Sequence, residues 1–223
     1  MNMLKLENIN YSYIDGGNKR TILENVNYEF EKGKFYTILG PSGSGKTTLL
    51  SLIAGLDRPE SGKIYYDGED IEKIGLNNYR RNKIGIVFQQ FNLLTYLTAV
   101  ENIELAMTET ENEIPKNIRE VAYALLEKFG IVQSKADRMI NKLSGGEQQR
   151  VAIARAIAGN VDLIFADEPT GNLDTETEGE IIKIFKNLTE EFNKTVIVVT
   201  HSTIVSEMSD LRLYLNNREL NNM

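Results

Sequence analysis

Apolar and polar positions change period twice along the chain. In the first part the pattern is that of strands. Leu4 to Tyr13 and Ile22 to Phe30 are β-rich and partly alternating, Phe35 to Leu39 is a continuous apolar run, and Lys63 to Tyr66 is a short strand. Gly16-Gly17-Asn18 reads as a loop of open hairpin type, and Glu31-Lys32-Gly33, Arg58-Pro59-Glu60-Ser61-Gly62 and Asp67-Gly68 read as turns. Ile84 to Phe88 is a further strand, delivering Gln89 and Gln90.

Helical spacing then takes over. Thr98 with Glu101 three residues later is a capping box opening a helix towards Met107, and polar Thr108 to Glu113 reads as a loop. Ile118, Val121, Ala122, Leu125, Leu126 and Phe129 recur at helical spacing, with Gly130 as the stop. A third helix begins near Gly146 and carries Val151, Ile153, Ala154 and Ile157 before Gly159. Residues from about 90 to 158 thus form a helical block between β-rich halves. No linker composition flanks it, so it reads as an inserted subdomain of a single domain, the remainder being residues 1–89 and 159–223.

After Gly159 strands and helices alternate. Leu163-Ile164-Phe165-Ala166 suits a parallel strand buried on both faces, and it ends in Asp167-Glu168-Pro169. Thr175 and Glu178 have the spacing of another capping box, ahead of Ile181, Ile182, Ile184, Phe185, Leu188 and Phe192 on one helical face. Val196 to Val199 is the next buried strand and ends at Thr200-His201-Ser202; Leu211 to Leu215 is a last strand with a polar end.

Composition narrows the chemistry. At 41% hydrophobic, 223 residues can bury a sizeable core, yet no apolar stretch approaches the roughly 20 residues that cross a bilayer. The N-terminus lacks the apolar core of a signal peptide. Cysteine is absent, which removes disulfides, thiol catalysis and Cys-based metal sites and fits the cytosol. A single histidine, His201, excludes multi-His metal centres. The formal net charge of −7 argues against broad nucleic-acid binding, so no nucleic-acid partner is expected.

The candidate chemistry begins at Gly40-Pro41-Ser42-Gly43-Ser44-Gly45-Lys46-Thr47, a G-x-x-x-x-G-K-[ST] run between a predicted strand and a predicted helix. Glycines let backbone N–H groups and a helix N-terminus wrap a phosphate closely. Lys46 can reach β- and γ-phosphates, and the Thr47 hydroxyl can ligate Mg²⁺. Asp167 and Glu168, consecutive at a strand end, point opposite ways, so they suit two different tasks, supporting Mg²⁺ and positioning the attacking water. His201, directly after a buried strand, ends at the same edge of a parallel sheet. Ser144-Gly145-Gly146 opens a second helix suited to an anion, which invites a role towards the nucleotide of another copy.

With these residues in hand, the chain resembles the nucleotide-binding subunit of ABC transporters over nearly its whole length. Gly40 to Thr47 resemble the Walker A motif and Leu163 to Asp167 the Walker B motif, with Glu168 as catalytic glutamate. Leu143 to Glu147 resemble the signature motif, Asn172-Leu173-Asp174 the D-loop, Gln89 the Q-loop glutamine and His201 the switch histidine, although Ser202 stands where the family usually has Asp. Tyr13 sits where the family places an adenine-stacking ring, with Tyr11 the weaker candidate. Within the family, VFQQFNLLTYLTAVENIEL and ADEPTGNLD resemble the lipoprotein-releasing, macrolide-exporting and antimicrobial-peptide branch.

The resemblance implies an α/β P-loop NTPase core with a mostly parallel sheet, an N-terminal antiparallel β subdomain and an inserted α-helical subdomain. It implies ATP and Mg²⁺ as ligands, with Gly40 to Thr47, Thr48, Tyr13, Ser144 to Gly146 and Asp174 around the nucleotide and Thr47, Gln89 and Asp167 around the metal. It further implies an ATP-sandwich homodimer and a separate membrane permease, with the chain peripheral on the cytoplasmic face. The alternative is a non-transport ABC ATPase acting on ribosomes or DNA. A GTPase is excluded because Asn193-Lys194-Thr195-Val196 lacks the guanine-reading aspartate.

Overall fold

The computed structural model describes residues 2–223. In chain order it contains β1 (Asn2–Asp15), β2 (Asn18–Glu31), β3 (Phe35–Leu39), α1 (Lys46–Ile53), β4 (Ser61–Tyr66), β5 (Glu69–Asp70), α2 (Ile71–Ile74), α3 (Leu76–Asn82) and β6 (Ile84–Val87). Helices α4 (Ala99–Glu109), α5 (Ile118–Lys128), α6 (Gln133–Ala136) and α7 (Gly145–Ala158) follow. The chain ends with β7 (Leu163–Asp167), α8 (Thr175–Glu190), β8 (Thr195–Val199), α9 (Thr203–Met208), β9 (Leu211–Asn216) and β10 (Glu219–Asn222).

Two sheets form. One is antiparallel, in the order β2-β1-β4-β5; the other runs β10-β9-β3-β8-β7-β6, and all its pairings are parallel except β9 with β10. Gly16 and Gly17, at φ +55° and +86°, close a two-residue hairpin in which Asp15 faces Asn18 and Tyr13 faces Arg20. Both central residues of such a turn need positive φ, which explains the glycine pair.

The six-stranded sheet is covered on both faces. Alternate residues of one strand enter different cores: Ile164 and Ala166 pack with α4, α5, α7 and α8, while Leu163 and Phe165 pack with α1, α3 and the antiparallel sheet. The middle helices thus share one continuous apolar cluster with α8. Where α7 crosses β6 the backbones touch. A Cβ on Gly85 would stand 2.0 Å from the Ala156 carbonyl oxygen, so no other residue fits without moving the helix. No helix among the described residues is long and apolar enough to cross a membrane.

Several expectations change in detail. Thr108 and Glu109 belong to the last turn of α4, and β6 stops at Val87. The predicted Thr175–Glu178 capping box does not form. Asp174 caps α8 instead, accepting from Thr177 N at 3.0 Å and Thr177 Oγ1 at 2.8 Å, and the Glu178 carboxylate accepts from Thr170 Oγ1 at 3.0 Å. A carboxylate one position earlier captures the orphan N–H first. The polar tail is itself a strand, β10, folded back on β9.

Candidate nucleotide site

Four neighbouring strands, β3, β8, β7 and β6, deliver their carboxyl ends to one edge of the sheet. The loop after β3 wraps round to α1, whose N-cap is Gly45 at φ +101°. A Cβ there would meet Ile22 Cγ2 at 2.6 Å, so packing and backbone conformation both require glycine. The first bond of the helix is Leu49 N to Gly45 O at 2.8 Å, which leaves the N–H groups of Lys46, Thr47 and Thr48 without a helical acceptor. Ser44 Oγ is buried beside them and has no partner among the described residues. An anion with several acceptor oxygens fits this loop, and a triphosphate is such an anion.

Lys46 crosses under the loop. Only 6% exposed, its Nζ donates to Gly40 O at 2.9 Å and Pro41 O at 3.0 Å and lies 3.2 Å from His201 Nε2. Burial pulls the Lys46 pKa down, and the nearby Glu168 and Asp167 carboxylates oppose that pull. Thr47 Oγ1 donates to Asp167 Oδ1 at 3.3 Å. Burial raises the Asp167 pKa, with the Thr47 hydrogen bond acting against it. The Thr47 hydroxyl, the Asp167 carboxylate and the Gln89 amide are oxygen donors of the kind that suit Mg²⁺.

Asp167 is the last residue of β7, but Glu168 has left strand geometry, at φ +46°. Its N–H still reaches Val199 O of β8 at 2.9 Å. The turn carries its carboxylate to the next strand end, where Oε2 accepts from His201 N at 3.2 Å and Oε1 lies 3.3 Å from His201 Nε2. The two acidic residues therefore face different neighbours, Asp167 the hydroxyl of the loop and Glu168 the histidine. A left-handed non-glycine costs about 1–3 kcal/mol and is characteristic of functional sites.

The cleft so formed has a volume of about 710 Å³ and is lined by Ser42, Gly43, Gly45, Lys46, Thr47 and Thr48 of the loop, Gln89, Glu168, Gly171 and His201, with Tyr13, Arg20 and Ile22 at the hairpin side. Gly40 and Pro41 support it from behind through their carbonyls. Arg20 and Ile22 were not singled out by sequence. The signal was the hairpin register, since counting outwards from a two-residue turn at Gly16-Gly17 pairs Tyr13 with Arg20. The Arg20 guanidinium carbon lies 5.9 Å above the Tyr13 ring, whereas the Tyr11 hydroxyl is engaged with Asp57 Oδ2 at 2.6 Å, outside the cleft lining. Tyr13→Ala is expected to weaken adenine-nucleotide binding by about 1–3 kcal/mol, and Tyr11→Ala by less. Nucleotide titration of both variants checks the ranking, and the reverse order moves the base platform to Tyr11.

Four of the sequence candidates are not brought to this cleft. Ser144 caps α7 in a reciprocal box, its Oγ accepting from Glu147 N at 3.3 Å and its N–H donating to Glu147 Oε2 at 2.8 Å. Gly145 and Gly146 form the first turn of that helix, and Asp174 caps α8; none lines the cleft of its own chain. The same helix nevertheless reaches the site from within the core. Gln149, fully buried, donates to Pro169 O at 2.7 Å, next to Glu168.

The chain is similar to known proteins over most of its length. The sequence pattern of the family described as "ABC transporter" matches residues 23–171. An uncharacterized ABC transporter ATP-binding protein, YclH of Bacillus subtilis (strain 168), is 45% identical over 216 residues, covering 97% of this chain and 94% of that protein. The lipoprotein-releasing system ATP-binding protein LolD 1 of Chlorobium chlorochromatii (strain CaD3) is 40% identical over 217 residues, covering 96% and 88% respectively. Among solved structures, the dimeric post-hydrolysis state of the ATP-binding cassette MJ0796 bound to ADP and Pi superposes with a TM-score of 0.89 at 41% identity, over 99% of this chain and 98% of that one. With nearly its whole length aligned to ATP-binding proteins of one kind and its loop, carboxylates and histidine gathered at one sheet edge, the chain belongs to the ABC transporter family.

Proposed function

We propose that this chain is the ATP-hydrolysing subunit of an ABC transporter. Two copies close head to tail around two nucleotides, each held between one subunit's Gly40–Thr48 loop and the other's Ser144-Gly145-Gly146. The observation that carries this reading is a separation. Lys46, Thr47, Glu168 and His201 line one cleft, with Asp167 hydrogen-bonded to Thr47, while a second anion-suited helix end, at Ser144, lies outside that lining. The dimeric state of the similar cassette supports the same arrangement.

In this reading Tyr13 stacks on the base, and the free N–H groups of α1 with the Lys46 ammonium hold the β- and γ-phosphates. Thr47, Gln89 and Asp167 hold Mg²⁺, which when bound neutralises charge on the phosphoryl oxygens. Glu168 orients the attacking water and takes its proton, and His201 contacts the γ-phosphate. Loss of that phosphate removes the bridge between subunits, and the helical region of residues about 90–158 moves with its neighbour's site. A separate membrane permease receives this motion, so the chain works from the cytoplasmic face of the membrane. The similarity to LolD 1 supports cargo of the lipoprotein, peptide or drug export type.

Recovery of the tagged chain from solubilised membranes tests the assignment. The expected result is a stoichiometric integral membrane partner in the ATPase-active fraction. Recovery on ribosomes or DNA, with no membrane protein present, overturns it.

A further inference from the structure

The segment after β6 contains two consecutive residues in the left-handed region, Phe91 at φ +61° and Asn92 at φ +49°. Asparagine tolerates that conformation, but a bulky residue such as phenylalanine adopts it only when its surroundings hold it there. Local bonds tighten the turn, from Phe91 N to Phe88 O at 3.1 Å and from Asn92 N to Gln90 O at 2.6 Å. These do not explain where its carbonyls go. Both are taken by a single side chain, Arg155, near the end of α7: Nη2 donates to Phe91 O at 3.1 Å and Nη1 to Asn92 O at 2.5 Å.

Arg155 is unusual in its own right. Among the described residues it has no carboxylate partner, and burial lowers its pKa. A desolvated guanidinium without a counter-charge is disfavoured unless its donors are used. Here two carbonyls of one strained turn use them, in the forked geometry that arginine provides and lysine does not. Gln89 lies inside the turn closed by the bond from Phe91 N to Phe88 O, two residues before the left-handed pair begins, and its own carbonyl is held by Asn172 Nδ2 at 3.3 Å.

We propose that Arg155 is a positioning residue for Gln89: by clamping the left-handed Phe91-Asn92 turn onto α7, it fixes where the Gln89 amide stands in the cleft. This rests on the reading above that Gln89 serves ATP hydrolysis. The clamp also joins Gln89 to the helix that begins at Ser144. The position of one subunit's Gln89 is therefore tied to the helix end that reads the other subunit's nucleotide.

The test is a double-mutant cycle on the full chain, using Gln89→Ala, Arg155→Met and the combination, with ATP turnover measured against Mg²⁺ concentration. Arg155→Met is expected to lower kcat by roughly tenfold or more and to raise the half-activating Mg²⁺ concentration, with ATP affinity in the absence of hydrolysis changed less than about twofold. Combined with Gln89→Ala it adds no further loss, because the clamp acts only through that amide. Arg155→Lys, which keeps the charge and one carbonyl bond, restores part of the turnover; if Arg155→Met does not fold, the cycle is run with this variant. Additive losses, or an unchanged Mg²⁺ response, overturn the clamp and leave the reading of Gln89 intact. Normal turnover in Gln89→Ala alone overturns that reading and the clamp with it.

Discussion

Replacing Glu168 by Gln leaves ATP binding intact and lowers turnover by roughly 10²–10⁴-fold, the contribution expected of a positioned general base. The geometry makes this a clean substitution. The left-handed turn at Glu168 is set by the backbone, including the bond from its N–H to Val199 O, and a glutamine oxygen can still accept from His201 N. What disappears is the negative charge that draws a proton from water. The variant is also expected to associate in ATP and remain associated, since the triphosphate that bridges two subunits is no longer cut. Phosphate release and light scattering in the presence of ATP check the two halves together. Turnover close to that of the parent chain rejects Glu168 as the base.

The second large effect is expected at a residue outside the cleft. Ser144→Arg leaves the ATP affinity of the isolated subunit almost unchanged and abolishes ATP-driven association and hydrolysis. Its first consequence is local. Ser144 Oγ accepts from Glu147 N in the cap of α7, so its removal costs about 1 kcal/mol of stability, too little to unfold a domain of ordinary stability. The functional consequence follows from the proposed head-to-tail arrangement, which brings this helix end, now carrying a long cationic side chain, to the partner's phosphates. Mixing Ser144→Arg with Lys46→Ala subunits assembles dimers in which one site carries both defects and the other carries neither. ATP-dependent association of the labelled mixture, absent in Ser144→Arg alone, is the decisive readout. A Ser144→Arg monomer that has itself lost ATP affinity places the serine at its own nucleotide and rules out the head-to-tail arrangement.

Much of this site was legible in the sequence because its parts are local. A glycine-rich run between strand and helix, a carboxylate pair at the end of an apolar run and a histidine at the end of another each sit within a few residues of the element that positions them. Caps were legible for the same reason: Thr98 forms its box with Glu101, and Gly130 at φ +74° follows the end of α5. The error at Thr175 came from two competing acceptors one residue apart, where the carboxylate of Asp174 prevails. Short helices such as α2 and α6, four residues each, give too few turns for a period to be read.

What the sequence did not reveal depends on how distant elements dock. Arg155 meets Phe91 and Asn92 some sixty residues away in the chain, and Gln149 meets Pro169 across the core. Both sit on α7, and neither residue's neighbours in sequence announce a loop to be held. Arg20 is an intermediate case, recoverable once the two-residue turn at Gly16-Gly17 fixes the register.

The contact between Gly85 and Ala156 gives α7 a fulcrum. With the strand and helix backbones touching there, a tilt of the helix would turn about that point. Ser144 lies twelve residues before Ala156, which at about 1.5 Å per residue is a lever arm of about 18 Å. A tilt of about 10° would sweep the Ser144 end through about 3 Å, the difference between touching a phosphate and releasing it. Arg155, next to the fulcrum, would scarcely move, and Gln149, seven residues from it, would travel about 2 Å. In the proposed dimer, a small tilt at this contact would thereby become a larger stroke at the Ser144 end.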